Sequence, residues 1–139
     1  RGPCPPLQAL APQAITAFMQ KHLPLLTRLS RPAFWLCVGV ILYLSLVPGT
    51  MRPHTGVSGH VEHFMAYAGT GAIFVPARSR MALLCAAVGL SWLSGAVEIA
   101  QLWIPGRTGE IPGFVWSSAG AWLGLLAGCL LWQRLDRTT

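Results

Sequence analysis

The chain has 139 residues, of which 53% are hydrophobic and 10% charged, and its formal net charge is +6. A water-soluble domain carries about 25% charged residues, so this composition excludes an ordinary soluble domain and favours a protein whose surface faces lipid. The basic residues flank apolar segments and form no clustered patch. They therefore indicate helix ends at a membrane surface and no nucleic-acid partner.

The first 31 residues are predicted to form an N-terminal tail. Within it, Ala14–Met19 and Leu23–Leu29 are candidate amphipathic helices, interrupted by Pro12 and Pro24. The tail is either partly an amphipathic helix on the membrane surface or disordered. It lacks a compact apolar core followed by a small-residue cleavage site, so no cleavable signal peptide is expected.

Four apolar runs follow, and each is expected to cross the membrane: Pro32–Val47, His60–Pro76, Met81–Ile104 and Phe114–Leu131. The first run is short for a span, which usually needs about 20 residues, so the residues before it would have to extend it. The predicted fold is all-α, an integral membrane four-helix bundle over residues 32–134 with a C-terminal tail at residues 135–139.

The basic residues are divided unequally between the two ends of such a bundle. If both termini share a side, the turn between the second and third runs lies there too. That side then holds Arg1, Lys21, Arg28, Arg31, Arg78, Arg80, Arg134 and Arg137, and the other side holds Arg52 and Arg107. Because basic residues favour the cytoplasmic side, both termini are predicted to be cytoplasmic.

The fourth run carries small residues at four-residue spacing, Gly120, Gly124 and Gly128. Small residues at this spacing let two helices approach closely in lipid. The stripe predicts either a homo-oligomer or packing within the protein's own bundle, and the second interpretation is the favoured one.

The four-span topology brings the polar residues of the runs to the same, outer side. His60, His63 and Tyr67 share one helical face of the second run. Glu98 and Gln101 lie near the end of the third run, Arg107 lies in the next turn, and Ser117 and Ser118 begin the fourth run.

These residues predict a polar pocket beside hydrocarbon. His63 and Glu98 are the candidate catalytic pair, as acid and base or as a proton relay. The candidate ligand-binding residues are Tyr67, Gln101, Arg107 and Ser117. The guanidinium of Arg107 suits a phosphate or carboxylate, such as that of a membrane lipid or a lipid-linked sugar phosphate. The alternative is a structural ion pair of Glu98 with Arg107 or His63.

No cofactor and no metal are expected. His60 and His63 lack a glutamate at metalloprotease spacing, and the four cysteines, Cys4, Cys37, Cys85 and Cys129, have neither metal-ligand nor redox spacing. The chain has no phosphate-binding glycine loop and no nucleophile-elbow serine.

Several segments resemble the VanZ-like family of small membrane proteins. They are SLVP (Ser45–Pro48), HFMAY (His63–Tyr67), EIAQLWIPGRTGEI (Glu98–Ile111) and SSAGAWLG (Ser117–Gly124). The chain departs from the family pattern at Gly113, where the family usually has Asp, and at Ser117, where it usually has Asn. The Asp-Lys pair that often precedes the family histidine aligns with Gly59 and His60.

The resemblance implies a cell-envelope role in a bacterial plasma membrane, in a family associated with resistance to the glycopeptide teicoplanin. It implies no established reaction. Three functions stay open. The first is a non-enzymatic protein whose outer pocket binds a lipid-linked or anionic envelope ligand. The second is an intramembrane enzyme acting on a lipid-linked cell-wall precursor by Glu/His chemistry. The third is a small transporter, which is the weaker alternative because no inverted repeat is evident.

Overall fold

A computed structural model of the protein describes the backbone of residues 7–51, 56–74 and 79–137, and the side chains of residues 25, 27–51, 56–74 and 79–134. The described chain is all-helical, as predicted, and contains no strand. Its elements are α1 (Leu7–Leu46), a 3-10 turn (Gly49–Met51), α2 (Gly59–Phe74), α3 (Arg80–Gln101) and α4 (Ile111–Arg137).

Helix α1 is one continuous helix of 40 residues, which corrects the prediction of short helices interrupted by proline. Pro12, Pro24 and Pro32 all lie within it, so the predicted boundary at residue 32 falls inside a helix. A proline removes one backbone hydrogen bond and bends a helix, but the neighbouring turns can still continue it. The apolar part, Thr27–Leu46, has 20 residues and is long enough to span a membrane.

Within the described residues, three helices are long and apolar enough to cross a membrane: α1 over Thr27–Leu46, α3 over Arg80–Gln101 and α4 over Ile111–Arg134. Helix α2 has 16 residues, about 24 Å at 1.5 Å per residue, against a hydrocarbon core of about 30 Å. It is shorter than the predicted run His60–Pro76, whose last two residues lie outside the described chain.

The ends of α3 and α4 differ from the predicted boundaries for local reasons. The Ser79 hydroxyl caps α3 by accepting from the Ala82 amide at 3.2 Å. The helix ends at Gln101 rather than Ile104, because the chain turns into Gly106, whose φ of 74° is in the left-handed region that glycine favours. Helix α4 begins at Ile111, earlier than Phe114, and Pro112 fits its first turn.

The contacts between helices set their directions. Gln101 at the end of α3 bonds to Ser45 in the last turn of α1, and Leu90 packs with α1 farther back, so α1 and α3 run in the same direction. Helix α4 runs opposite to α3, because Trp122 reaches Ser91 while Glu110 reaches Glu98.

Helix α2 packs most extensively against α4, and the two run in the same direction. A Cβ atom added at Gly120 would meet the Phe64 carbonyl, and one added at Gly124 would meet the Ala68 carbonyl. Two of the three glycines in the stripe are therefore used within the chain, as the favoured interpretation expects. Homo-oligomer formation stays a prediction.

A small core lies where α1, α2, α3 and α4 meet, built from Phe34, Val38, Ile41, Tyr67, Leu90 and Ala121. The outward faces are apolar as well. Trp35, Leu36 and Trp92 are 68%, 69% and 77% exposed. Such surfaces are costly in water but not in hydrocarbon, which agrees with a multi-pass membrane protein.

Candidate functional site

A polar cavity of about 660 Å³ lies at the end of the molecule where α1 and α3 finish and α2 and α4 begin. The predicted convergence of these helix ends is therefore present in the structure. The lining residues come from four chain segments: Gly49; Gly56, Val57, Ser58, Gly59, His60, Glu62 and His63; Glu98 and Gln101; and Gly106, Arg107, Thr108, Glu110 and Gly113.

One wall of the cavity is built on the end of α1. The last carbonyls of a helix have no partner within the helix, and here two side chains from beyond α1 supply the donors. Gln101 Nε2 donates to the Ser45 carbonyl at 3.0 Å. Arg107 Nε donates to the Val47 carbonyl at 3.0 Å, and its Nη2 donates to the Leu44 carbonyl. Two of the four predicted ligand-binding residues, Gln101 and Arg107, thus hold the end of helix α1 in place.

The loops behind this wall fit together through two glycines. The Gly49 amide donates to the Pro105 carbonyl at 3.2 Å. A Cβ atom added at Gly49 would meet the Gly106 carbonyl. The segment after α1 and the turn after α3, which are separate in sequence, therefore form one continuous edge of the cavity.

Glu98 lies against the start of α4. Its Oε2 accepts a hydrogen bond from the Glu110 amide at 2.8 Å. This amide is one of those that have no backbone partner at the start of a helix. The positive end of the α4 dipole also favours a negative charge there. A Cβ atom added at Gly113 would meet Glu98 Oε1, so this glycine leaves the space that the carboxylate occupies.

His63 and Ser117 connect α2 to α4. A hydrogen bond of 3.2 Å joins His63 Nδ1 to Ser117 Oγ, with the donor set by the tautomer of the ring. Ser117 is fully buried, while His63 is partly exposed to the cavity. The imidazole therefore extends from the buried serine towards the cavity.

Below His63, two hydroxyl groups are buried side by side. Tyr67 and Ser94 are each 1% exposed, and neither hydroxyl makes a well-formed hydrogen bond. The Ser94 side chain is nevertheless near enough to Tyr67 to interact with it. Buried polar groups usually have partners, so this pair is a polar extension of the site into the protein interior.

The outer rim is more exposed. His60 Nε2 and Glu110 Oε2 are 3.8 Å apart, with side chains 42% and 51% exposed. A pair this exposed contributes little to stability. Glu62, in the first turn of α2, also lines the cavity.

Four of the six predicted site residues line the cavity, namely His63, Glu98, Gln101 and Arg107. Ser117 reaches it through His63, and Tyr67 is buried beneath it. No direct ion pair between Glu98 and Arg107 is found, and each has other partners: Glu98 bonds to Glu110 and Arg107 to the end of α1.

Sequence reasoning missed Glu62 and Glu110 as lining residues and Gly113 as the neighbour of Glu98. A signal for Glu62 was present, because it stands between His60 and His63 at the start of the same run. The proximity of Gly113 to Glu98 depends on the crossing of α3 and α4, which sequence spacing does not specify.

Across the described part of the chain, no three side chains of His, Cys, Asp or Glu are grouped as metal ligands.

Comparison of the chain with protein-family models, with curated proteins and with solved structures finds no match.

Proposed function

We propose that this protein is a multi-pass protein of the bacterial plasma membrane that binds the polar group of a cell-envelope ligand in the cavity. The observation that carries the proposal is the convergence of the histidines, glutamates, Gln101 and Arg107 on one cavity at the end of apolar helices. Polar and ionisable groups beside hydrocarbon are expensive and usually functional. The resemblance to VanZ-like proteins adds a glycopeptide-type ligand to the classes worth testing.

The helix directions support a four-helix bundle with four crossings. If α1 and α3 both cross the membrane in the same direction, the chain must return between them, and α2 is the helix of that segment. Helix α2 also lies alongside α4, which is itself a candidate span. A helix of 16 residues then needs neighbouring residues or a locally thin bilayer to complete its crossing.

The distribution of basic residues supports cytoplasmic termini. Among the residues whose side chains are described, Arg28 and Arg31 lie at the start of the apolar part of α1 (Thr27–Leu46), away from the cavity. Arg80 and Arg134 lie at the ends of α3 and α4 away from the cavity, and Arg107 lies at the cavity end. Arg1, Arg52 and Arg78 lie outside the described residues. This asymmetry favours an outward-facing cavity, where an envelope ligand is available.

The charge of the cavity favours a ligand with donor groups. The described lining has three glutamates (Glu62, Glu98, Glu110) and one arginine, whose guanidinium already donates to α1 carbonyls. A ligand that carries an amine or several hydrogen-bond donors is complementary to this lining, more so than the anionic ligand that Arg107 alone suggests.

The test is the substitution Glu98→Gln, which removes the charge but keeps an oxygen that can accept from the Glu110 amide. Purified, delipidated protein is titrated with short-chain phosphatidylethanolamine, short-chain phosphatidylglycerol and a teicoplanin-type glycopeptide, and binding is followed by native mass spectrometry. We expect at least one amine-bearing probe to bind the wild type and to lose roughly tenfold or more in affinity, about 1.4 kcal/mol, in Glu98→Gln. Arg134→Gln, far from the cavity, is the charge-change control. Equal binding by wild type and Glu98→Gln would contradict the proposal.

The His63–Ser117 hydrogen bond favours a second candidate, an intramembrane enzyme acting on a lipid-linked precursor with His63 and Glu98 as acid–base groups. Experiments in cells distinguish the binding protein from the enzyme. If Glu98→Gln keeps ligand binding and yet the precursor accumulates as in a deletion strain, the enzyme is favoured. An unchanged lipid profile in the deletion strain would eliminate it.

A further inference from the structure

A second, apolar cavity of about 580 Å³ lies between α3 and α4 on the outside of the helices. This α3–α4 groove is lined by Val88, Ser91, Trp92, Gly95, Ala96, Ile99, Phe114, Ser118 and Trp122. Two of the lining residues are serines. The hydroxyl of one of them, Ser91, makes hydrogen bonds within the protein. It donates to the Ala87 carbonyl at 2.9 Å and accepts from Trp122 Nε1 at 3.3 Å.

The groove adjoins the polar cavity through neighbouring residues. Glu98 lines the cavity and Ile99 lines the groove, and on the facing helix Gly113 lines the cavity and Phe114 lines the groove. The apolar groove therefore begins next to the polar cavity and follows α3 and α4 away from it.

The length of the groove matches one leaflet of a bilayer. The groove follows α3 from Val88 to Ile99, which are about 16 Å apart along the helix at 1.5 Å per residue. Half of a hydrocarbon core of about 30 Å is about 15 Å. Both helices are candidate membrane spans, so the groove lies where hydrocarbon is the surrounding solvent.

We propose that the α3–α4 groove holds an acyl chain of the same ligand whose polar group occupies the cavity, so that the ligand is an amine-bearing lipid. This inference rests on the proposed function and adds the chemical class of the ligand. The inference depends on the position of the apolar groove next to the polar cavity and on its length of about one leaflet. An amphipathic molecule is the ligand class that would fill both.

The floor of the groove offers a specific substitution. The space at Gly95 faces the Phe114 ring, with two ring carbons 3.7 Å from where a Cβ atom would stand. Gly95→Leu fills the groove with little clash near the backbone. Gly89→Leu on the same helix is the matched control, because nothing lies within 4 Å of its Cβ position.

The experiment uses full-length protein in nanodiscs that contain a phosphatidylethanolamine with a photoactivatable diazirine in its acyl chain. Crosslinked positions are mapped by peptide mass spectrometry for the wild type, Gly95→Leu, Gly89→Leu and Glu98→Gln. We expect the wild type and Gly89→Leu to crosslink preferentially within the groove, and both Gly95→Leu and Glu98→Gln to reduce that crosslinking at least fivefold. Short-chain phosphatidylethanolamine binding, which needs only the cavity, is expected to be retained in Gly95→Leu.

The outcomes separate the two proposals. If Gly95→Leu leaves the groove crosslink unchanged, or if crosslinks are spread evenly over the lipid-facing helices, the acyl-chain inference is wrong while the cavity proposal stands. If short-chain phosphatidylethanolamine does not bind and Glu98→Gln has no effect, the proposed function itself fails.

Discussion

Glu98 and Gly113 illustrate how closely the chemistry of this site depends on single residues. The Glu98 carboxylate accepts a hydrogen bond from the Glu110 amide at the start of α4. It also occupies the space that a side chain at position 113 would need. The negative charge therefore reaches the start of α4 from the facing helix, α3.

We expect Gly113→Ala to destabilise the protein by about 1–3 kcal/mol, the usual cost of forcing extra atoms into a packed site. The added methyl group has to displace Glu98 or move α4 away from α3. Unfolding in mild detergent, titrated with a denaturing detergent, measures the difference. Gly89→Ala, at an open position of α3, should be neutral or stabilising by up to about 1 kcal/mol. Similar behaviour of the two variants would mean that Glu98 does not fill this space.

Arg107 stabilises the end of α1, a structural role that the residue type alone does not predict. We expect Arg107→Lys to lower the free energy of unfolding by about 1–3 kcal/mol, because a single ammonium group cannot bond to both the Leu44 and Val47 carbonyls in the same way. Arg80→Lys, an exposed residue at the start of α3, is the control and should change stability little. A stability loss no larger than that of Arg80→Lys would show that capping of α1 does not depend on the guanidinium.

At the scale of the elements, α2 and α4 are the central pair. Gly120 and Gly124 let the backbone of α2 approach α4, and Gly71 of α2 faces the Ala121 carbonyl, 2.7 Å from where a Cβ atom would stand. This close contact keeps His63 beside Ser117. The packing of the pair thus positions the candidate site as well as the core.

We expect Gly124→Val to separate α2 from α4, to lower the free energy of unfolding by about 1–3 kcal/mol or more, and to weaken ligand binding as His63 moves. The matched control is Gly69→Val on α2, where nothing lies within 4 Å of the Cβ position. Stability by detergent titration and oligomeric state by size-exclusion with light scattering are measured together. If Gly124→Val instead dissociates an oligomer without loss of monomer stability, the stripe serves self-association and the packing assigned to it here is wrong.

Hydropathy and the basic residues predicted the helical class and the gathering of the polar residues at one end. Both follow from the solvent, since apolar runs become helices in lipid and polar groups move to their ends. The continuity of α1 through Pro12, Pro24 and Pro32 was not predicted, because local propensity does not reveal when a proline is accommodated. The partners of Arg107, Gln101 and Glu98 were not predicted either, since they are backbone groups of distant segments.

At the scale of the whole molecule, the two ends of the helices have opposite character. The cavity end carries all three glutamates of the described helices and loops, with the two histidines of α2. The described arginines of α3 and α4, Arg80 and Arg134, lie at the opposite helix ends, and Arg28 and Arg31 lie at the start of the apolar part of α1. In a membrane, a separation of this kind favours one orientation of the protein.

We propose that the polar cavity lies at the outer membrane face, opposite Arg80 and Arg134. Single cysteines at Thr108, on the cavity rim, and at Ser79, at the start of α3, test it most directly, in a background whose four native cysteines are replaced by alanine. Labelling with a membrane-impermeant maleimide is compared before and after cell permeabilisation. We expect Thr108→Cys to react in intact cells and Ser79→Cys to react after permeabilisation alone. Labelling of both positions from the same side, or of Ser79→Cys first, would contradict the account.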